Sequence, residues 1–217
     1  MFRNDYLMGM IEDMASVISK VFGLKQQKKL TEALWELDDM VRQKFQLNNG
    51  LINRLPAEEV IELFRIGSVV EVDRLQALAR LMREEADIYE LSEQEQEAAV
   101  RRIKSLHLFL YCAVNDADRT MFDYPEQIDQ LTDELADYAL PAAVEHLFVQ
   151  YEEQEGYYDN AVDALKRLTE LDPAQGHTEG QALYQRLLLL SDEQLEEGGV
   201  SRAELTTAHA ELEAQSN

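Results

Sequence analysis

The stretch that decides the fold runs from Leu140 to Pro173 and reads LPAAVEHLFVQYEEQEGYYDNAVDALKRLTELDP. Pro141 suits the first turn of a helix, because that position needs no backbone amide donor. Gly156 permits a tight turn, and the residue before Pro173 avoids the α-helical region. The stretch therefore predicts two consecutive helices that are joined at Gly156, the second spanning residues 157–171.

The same punctuation continues along the chain on both sides of this stretch. Prolines, glycines and capping pairs separate amphipathic segments, and no segment alternates as a strand would. The sequence therefore predicts an all-α fold of about ten helices in antiparallel pairs. The predicted helices and starts are 4–22 ending at Gly23, 27–47 ending at Asn48-Asn49-Gly50, 56–66 from Pro56, a helix from Gly67-Ser68 to Tyr89, and starts at Ser92 with Glu95, Pro125, Thr178 with Gln181, Ser191 with Gln194, and Ser201 with Glu204.

The segment from Leu106 to Val114 is apolar on nearly all sides, so we expect it at the centre of the molecule. It contains the one cysteine of the chain, Cys112, whose apolar neighbours predict a buried, unreactive thiol. A lone cysteine cannot form an internal disulfide, which agrees with a reducing compartment. No window has the uncharged apolar length that a bilayer requires, and the first residues lack a secretion signal. We therefore expect a cytoplasmic protein that does not bind membranes.

The stretch from Leu140 to Pro173 resembles the tetratricopeptide repeat, a hairpin of two helices with a period of about 34 residues. The resemblance rests on Gly156 at the turn, Tyr158 after it, Ala161 at the close helix contact, Leu165 at the bulky position and Pro173 at the end. It implies a right-handed stack of helical hairpins that acts by binding other proteins.

Other parts of the chain fit the repeat less well. Glu145, Val149 and Leu168 depart from the pattern, and a weaker match covers residues 4–47, where the matching residues are Leu30, Ala33 and Leu37. Residues 55–118 show no repeat, so we expect a stack with irregular members. The opening Met1-Phe2-Arg3-Asn4-Asp5-Tyr6-Leu7, with the later KKLTEALWELDD, is similar to an uncharacterised family of such proteins from Gram-positive bacteria. That resemblance implies no activity.

The charge of the chain is strongly negative and unevenly distributed. The net charge is −23, and residues 120–217 carry four Lys and Arg against twenty-two Asp and Glu, whereas residues 1–30 carry five against three. We expect a single all-α domain over residues 1–217, with an N-terminal helical part (1–119) and an acidic, repeat-like part (120–217). The acidic part would repel nucleic acids, and it leaves open either simple solubility or attraction of a basic protein partner.

No catalytic, metal or cofactor motif is present in the sequence. Helical di-iron sites use Glu-x-x-His, but the residues three places before the four histidines are Lys104, Ala143, Ala174 and Thr206. Nucleophile elbows and phosphate-binding glycine loops are also missing. We therefore expect no catalytic residues, no metal and no cofactor, although the 43 acidic residues leave acid–base pairs open.

Two short basic groups are the only candidates for nucleic-acid contact. They are Lys25, Lys28 and Lys29, and Arg101, Arg102 and Lys104. The total charge outweighs both groups, so we interpret them as ordinary solvent-facing residues.

The helix after Pro141 carries the candidate partner-binding residues. Val144, Leu147, Phe148 and Tyr151 form its predicted buried stripe. His146, Gln150 and Glu153 lie on another face, and the repeat resemblance would place them in a concave groove or, alternatively, on plain solvated surface.

Three functional hypotheses follow. The first is a non-catalytic adaptor or scaffold that binds a protein or peptide, with a basic one favoured by charge. The second is a structural homo-oligomer formed through exposed apolar stripes. The third is an enzyme with a carboxylate-lined pocket, which rests on the excess of acidic residues alone.

Overall fold

The computed structural model describes the backbone of residues 2–214 and the side chains of residues 8–214. Helices make up 76% of the chain, so the all-α prediction is confirmed. The elements are α1 Phe2–Gln26, α2 Leu30–Phe45, α3 Asn49–Ile52, α4 Ala57–Glu62, β1 Arg65–Ile66, β2 Val69–Val70, α5 Val72–Leu91, α6 Glu95–Val114, α7 Tyr124–Glu134, α8 Ala142–Glu155, α9 Tyr158–Leu171, α10 Pro173–Leu187, α11 Asp192–Glu197 and α12 Arg202–Ala214.

The chain divides into two compact units, Met1–Tyr138 (unit 1) and Ala139–Asn217 (unit 2). The change from one unit to the other comes at residue 138, whereas the sequence placed the change of character at residue 119. The expectation of one domain over residues 1–217 stays a prediction. Within residues 2–214, no helix combines the length and the apolar character needed to cross a membrane.

Unit 1 is built around the hairpin of α5 and α6. The predicted central segment of α6 is confirmed, because Leu106, Leu108, Phe109, Leu110 and Cys112 are fully buried. Burial raises the pKa of the Cys112 thiol well above its usual value, so the thiolate is disfavoured. The helices α1, α2, α4 and α7 pack around this hairpin.

Unit 2 consists of two antiparallel helical hairpins. The first is α8 with α9, and the second is α10 with α12, with the short helix α11 in the connection. The hairpins join through the contact of α9 with α10. The buried stripe predicted on α8 is confirmed, because Val144, Leu147, Phe148 and Tyr151 are all buried.

Local signals fixed several helix ends as predicted. Pro141 is the N-cap of α8, and Gly156 ends this helix with a φ of 84° in the left-handed region, where glycine carries no steric cost. The predicted capping box of α11 forms between Ser191 and Gln194. At α12, Ser201 and Glu204 make the reciprocal bonds that the sequence indicated.

Several of the sequence predictions are wrong. The helix predicted over 56–66 ends at Glu62, and the helix predicted after Gly67-Ser68 begins at Val72. The first helix does not stop at Gly23 but continues to Gln26, where Lys28 adopts a left-handed conformation (φ 57°) and the Lys29 amide bonds to the Leu24 carbonyl. Ser92 does not cap α6, because its hydroxyl donates back to the Ile88 carbonyl. The remaining two corrections concern a strand pair and the start of α10.

The strand pair β1–β2 contradicts the expectation of no strand. Gly67, with a φ of 64°, allows a two-residue turn that pairs Ile66 with Val69 in antiparallel register. The helix α10 begins at Pro173 rather than near Thr178. Asp172 caps it by accepting a hydrogen bond from the Gln175 amide at 3.0 Å, so Pro173 opens a helix as well as closing one.

Candidate functional site

The three predicted partner-binding residues lie on one face of α8, beside α10. His146 Nε2 is 3.0 Å from Glu179 Oε2 and 3.1 Å from Gln150 Nε2. A protonated Nε2 donates to the Glu179 carboxylate, whereas an unprotonated Nε2 accepts from the Gln150 amide, so one contact at a time is a full hydrogen bond. The carboxylate favours the form in which Nε2 carries the proton.

Glu153 joins the same two helices about two turns further along α8 than His146 does. Arg186 Nε and Nη2 each donate to a different oxygen of Glu153 at 2.7 Å, which is the bidentate geometry of the stronger ion pairs. Arg186 Nη2 also donates to Glu179 Oε1 at 3.1 Å. His146, Glu179, Arg186 and Glu153 thus form one continuous set of contacts, the α8–α10 bridge, and Gln150 lies beside His146 at its edge.

The two links between the helices of the bridge have the same spacing in the sequence. His146 and Glu179 are 33 residues apart, and so are Glu153 and Arg186. Two links with the same offset require α8 and α10 to run in parallel, side by side. The helix α10 therefore takes the same place in the second hairpin as α8 takes in the first.

The charge of Glu179 is stabilised by its partners. Its hydrogen bond with His146, supported by Arg186, holds the pKa of the Glu179 carboxyl below its usual value despite partial burial. The pKa of Arg186 is raised, chiefly by its hydrogen bond with Glu153. The bridge therefore keeps Glu179 ionised and Arg186 charged at neutral pH.

Buried and closely packed residues behind the bridge hold the two helices in position. Glu145, which is 3% exposed on the side of α8 that faces α9, accepts from Arg167 Nε at 2.9 and 3.0 Å. On α10, an added Cβ at Gly176 would lie 2.5 Å from Thr169 Cα, and one at Gly180 would lie 2.9 Å from Leu212 Cδ2. At Gly176 the close atom belongs to the backbone of α9, so only glycine permits this approach, whereas at Gly180 the end of the Leu212 side chain would have to shift.

Sequence reasoning did not identify Glu179 and Arg186 as members of the site. Their signal was the offset of 33 residues from His146 and Glu153, which matches the period of the suspected repeat. That signal was hidden because the start of α10 was predicted near Thr178 instead of at Pro173.

The last helix of unit 2 lies on another side of α10. Tyr184 meets His209 of α12 with a ring separation of 6.1 Å, and the groove of about 330 Å³ near it is lined by α9, α10 and α12. Within residues 8–214, the hydrogen bonds of His146, Gln150 and Glu153 are with α8 and α10. Whether the three residues bind a partner stays a prediction.

The two basic groups found in the sequence are not both solvent-facing, contrary to the interpretation above. Arg101 and Lys104 are 7% and 9% exposed, and Arg101 pairs with Glu85 at 3.2 Å. Lys25 bridges α1 to Glu84 and Asp87 of α5 at 2.8 and 3.1 Å. Sequence shows charge but not its partner, so these structural ion pairs could not be recognised beforehand.

Lys25 and Lys104 show how unit 1 accommodates buried ammonium groups. Burial disfavours the Lys25 charge, but hydrogen bonds and attraction from Glu84 and Asp87 outweigh it, so the pKa of Lys25 is raised. Burial lowers the pKa of Lys104, whose ammonium donates to the carbonyls of Ile52 and Leu55 at 2.9 and 2.6 Å.

Over the described residues, no group of three or more His, Cys, Asp or Glu side chains could hold a metal ion.

A family model matches residues 1–217, and the family is described as a family of unknown function, DUF6483. No curated protein and no solved structure matches the chain.

Proposed function

We propose that this chain, which belongs to DUF6483, a family of unknown function, is a protein-binding module that takes a basic segment of a partner against the acidic surface of unit 2. The proposal extends to the repeat architecture, in which the hairpins α8–α9 and α10–α12 are tetratricopeptide-like members of a right-handed stack. The proposed setting is the cytoplasm of a Gram-positive bacterium, and the proposed activity is binding rather than catalysis.

The observation that carries the proposal is the pairing of every cation in unit 2. Residues 139–217 contain four Lys and Arg against sixteen Asp and Glu, a net charge of −12. All four cations are already held by carboxylates of the same unit. The pairs are Lys166 with Asp163, Arg167 with Glu145, Arg186 with Glu153 and Glu179, and Arg202 with Asp192.

This pairing leaves a negative field that unit 2 does not neutralise with its own side chains. A cationic partner would be steered toward it and would gain attraction that water and salt only partly screen. Repulsion among sixteen carboxylates also disfavours the compact unit, so a basic partner would stabilise the fold as well as bind it.

The α8–α10 bridge is the proposed point of contact, because its two carboxylates, Glu153 and Glu179, outnumber the one cation, Arg186, that pairs with them. His146 and Glu153 are partly exposed there, with side-chain exposures of 28% and 19%. Their positions are fixed by α10, so the partner would meet a preorganised surface and little side-chain ordering would be needed. Gln150 lies between them on α8 and is partly exposed.

The test uses the full chain and a displayed library of random peptides. We expect peptides rich in Lys and Arg to be enriched, and the affinity of one synthetic enriched peptide to fall between about 50 mM and about 300 mM salt. The variant Gln150→Lys adds one positive charge at the bridge and should weaken binding about tenfold. The matched variant Ala203→Lys adds the same charge on the exposed side of α12 and should change affinity less than about twofold.

Two results would contradict the proposal. One is enrichment of apolar or acidic peptides, which would remove the role of the field. The other is an equal loss of affinity in both variants, which would show that net charge matters but that the α8–α10 bridge is not the contact surface.

A further inference from the structure

Unit 1 contains a groove of about 550 Å³ between α1 and α5. One wall is formed by α1 through Ile11, Ala15, Ile18 and Phe22, and the opposite side includes Phe122. Phe22 is 59% exposed. The groove is thus an apolar surface open to water, in a part of the chain that the bridge of unit 2 does not involve.

The apolar residues on α1 form two separate stripes. Met10, Met14 and Val21 are buried in the core of unit 1. The second stripe has positions 8, 11, 15, 18 and 22, in alternating steps of three and four, and the last four of these line the groove. Both end residues, Met8 and Phe22, are more than half exposed. Such spacing over two heptads is the seam by which one helix packs along another.

We propose that this seam is a homodimer interface, in which α1 of one copy lies antiparallel in the α1–α5 groove of a second copy. The seam is self-complementary in one register. Ile11 faces Phe22 of the partner subunit, and Ala15 faces Ile18 of the partner subunit, so a large residue meets a small one at the centre. The residue numbers of each pair add to the same value, so one two-fold axis satisfies both pairs and their symmetry mates.

The length of the seam suits such a pairing. From Ile11 to Phe22 the helix rises about 17 Å, or about three turns. In this register the two copies overlap from Ile11 to Phe22, and Met8 extends beyond the paired part of the seam. The pairing uses the same residues on both copies, so it is closed by one two-fold axis.

Charge favours a second copy at this place over any other part of the chain. Two copies with a net charge of −23 each repel one another, and residues 120–217 carry most of that charge. Residues 1–30, which contain α1, instead carry five Lys and Arg against three Asp and Glu. Two copies that approach through α1 therefore meet the least repulsion.

The charged edge of the groove explains why an acidic partner is not the proposed occupant. Lys25 pairs with Glu84 and Asp87, and Arg80 pairs with Glu84 at 2.6 Å. These cations are already neutralised within unit 1. The groove therefore offers an occupant apolar contact rather than an unpaired positive charge.

The first test is the mass of the full chain in solution. Light scattering behind a sizing column should give about twice 24.9 kDa at concentrations up to about 100 µM. Phe22→Glu should give the monomer mass with an unchanged far-UV circular dichroism spectrum, since the exposed side chain contributes little to the fold of unit 1. Trp35→Glu is the matched control, because Trp35 is 68% exposed on α2 and does not line the groove; it should stay dimeric.

A cross-linking test fixes the register. Ala15→Cys and Ile18→Cys proteins, mixed and oxidised, should form a disulfide-linked dimer faster than either protein alone, and buried Cys112 should contribute no background. A monomeric native chain at about 100 µM would overturn the proposal. A dimer that persists in Phe22→Glu would place the interface elsewhere, and equal cross-linking in the mixture and the single proteins would refute the register.

Discussion

Replacing Lys104 with methionine should destabilise unit 1 far more than the same replacement of a surface lysine would. The Lys104 ammonium donates three hydrogen bonds, to the carbonyls of Ile52 at 2.9 Å, Asn53 at 3.1 Å and Leu55 at 2.6 Å. These carbonyls lie at the end of the four-residue helix α3, which is too short to hold itself. Methionine keeps the length of the side chain but removes every donor.

The magnitude follows from the hydrogen bonds and the buried charge. A bond from a charged donor contributes about 1.5–3 kcal/mol, and a buried acceptor left without a partner costs about 1–3 kcal/mol. Burial of the charge is unfavourable and lowers the pKa of Lys104 in the native protein. Removing the charge therefore also removes this cost. We therefore expect a net loss of about 3 kcal/mol in the free energy of unfolding, less than three full bonds would give.

Urea unfolding followed by circular dichroism measures this loss. With a denaturant slope of about 2 kcal/mol per molar, the midpoint for unit 1 should fall by about 1.5 M. Lys29→Met is the control in the same unit, because Lys29 is about half exposed and lies 3.8 Å from Glu32; its effect should stay below about 0.5 kcal/mol. Hydrogen exchange of residues 49–55 should accelerate in Lys104→Met only.

An unchanged midpoint for Lys104→Met would refute the reasoning. So would normal protection of residues 49–55 together with a lower midpoint, because the loss would then not come from the carbonyls at the end of α3.

Two further predictions concern unit 2 and its packing. Gly176→Ala should lower the free energy of unfolding by about 1–3 kcal/mol, because its Cβ would lie 2.4 Å from Thr169 Oγ1. The Cβ of Gly23→Ala would meet nothing within 4 Å, so this variant should stabilise α1 by up to about 1 kcal/mol. Equal effects of the two variants in urea unfolding would contradict this prediction. The pKa of Glu179 is lowered chiefly by its hydrogen bond with His146, so its contribution to stability is present above the usual value of 4.5 and is lost as the pH falls through the lowered pKa. Glu179→Gln should therefore be about 1 kcal/mol less stable than the native chain at pH 7. Urea unfolding below pH 4.5 should show a smaller difference between the two proteins, and a difference of unchanged size would refute the predicted loss of stabilisation at low pH.

Sequence by itself determined the helical character of the chain and the first hairpin of unit 2. Pro141 and Gly156 act through backbone dihedrals that depend on a residue and its immediate neighbours, so their effect is readable without a fold. The buried centre of α6 was equally readable, because a segment without a polar face has no side to offer water. Pro173 shows the limit, since one residue both closes α9 and opens α10.

Tertiary structure alone decided which charges meet and what they do. The α8–α10 bridge exists because Glu179 and Arg186 come to rest beside His146 and Glu153, two helices away along the chain. Lys104 is a structural donor inside unit 1 for the same reason, although its sequence context resembles a surface patch. A charge has no preferred partner until folding fixes distance and burial, because both set the strength of its interactions.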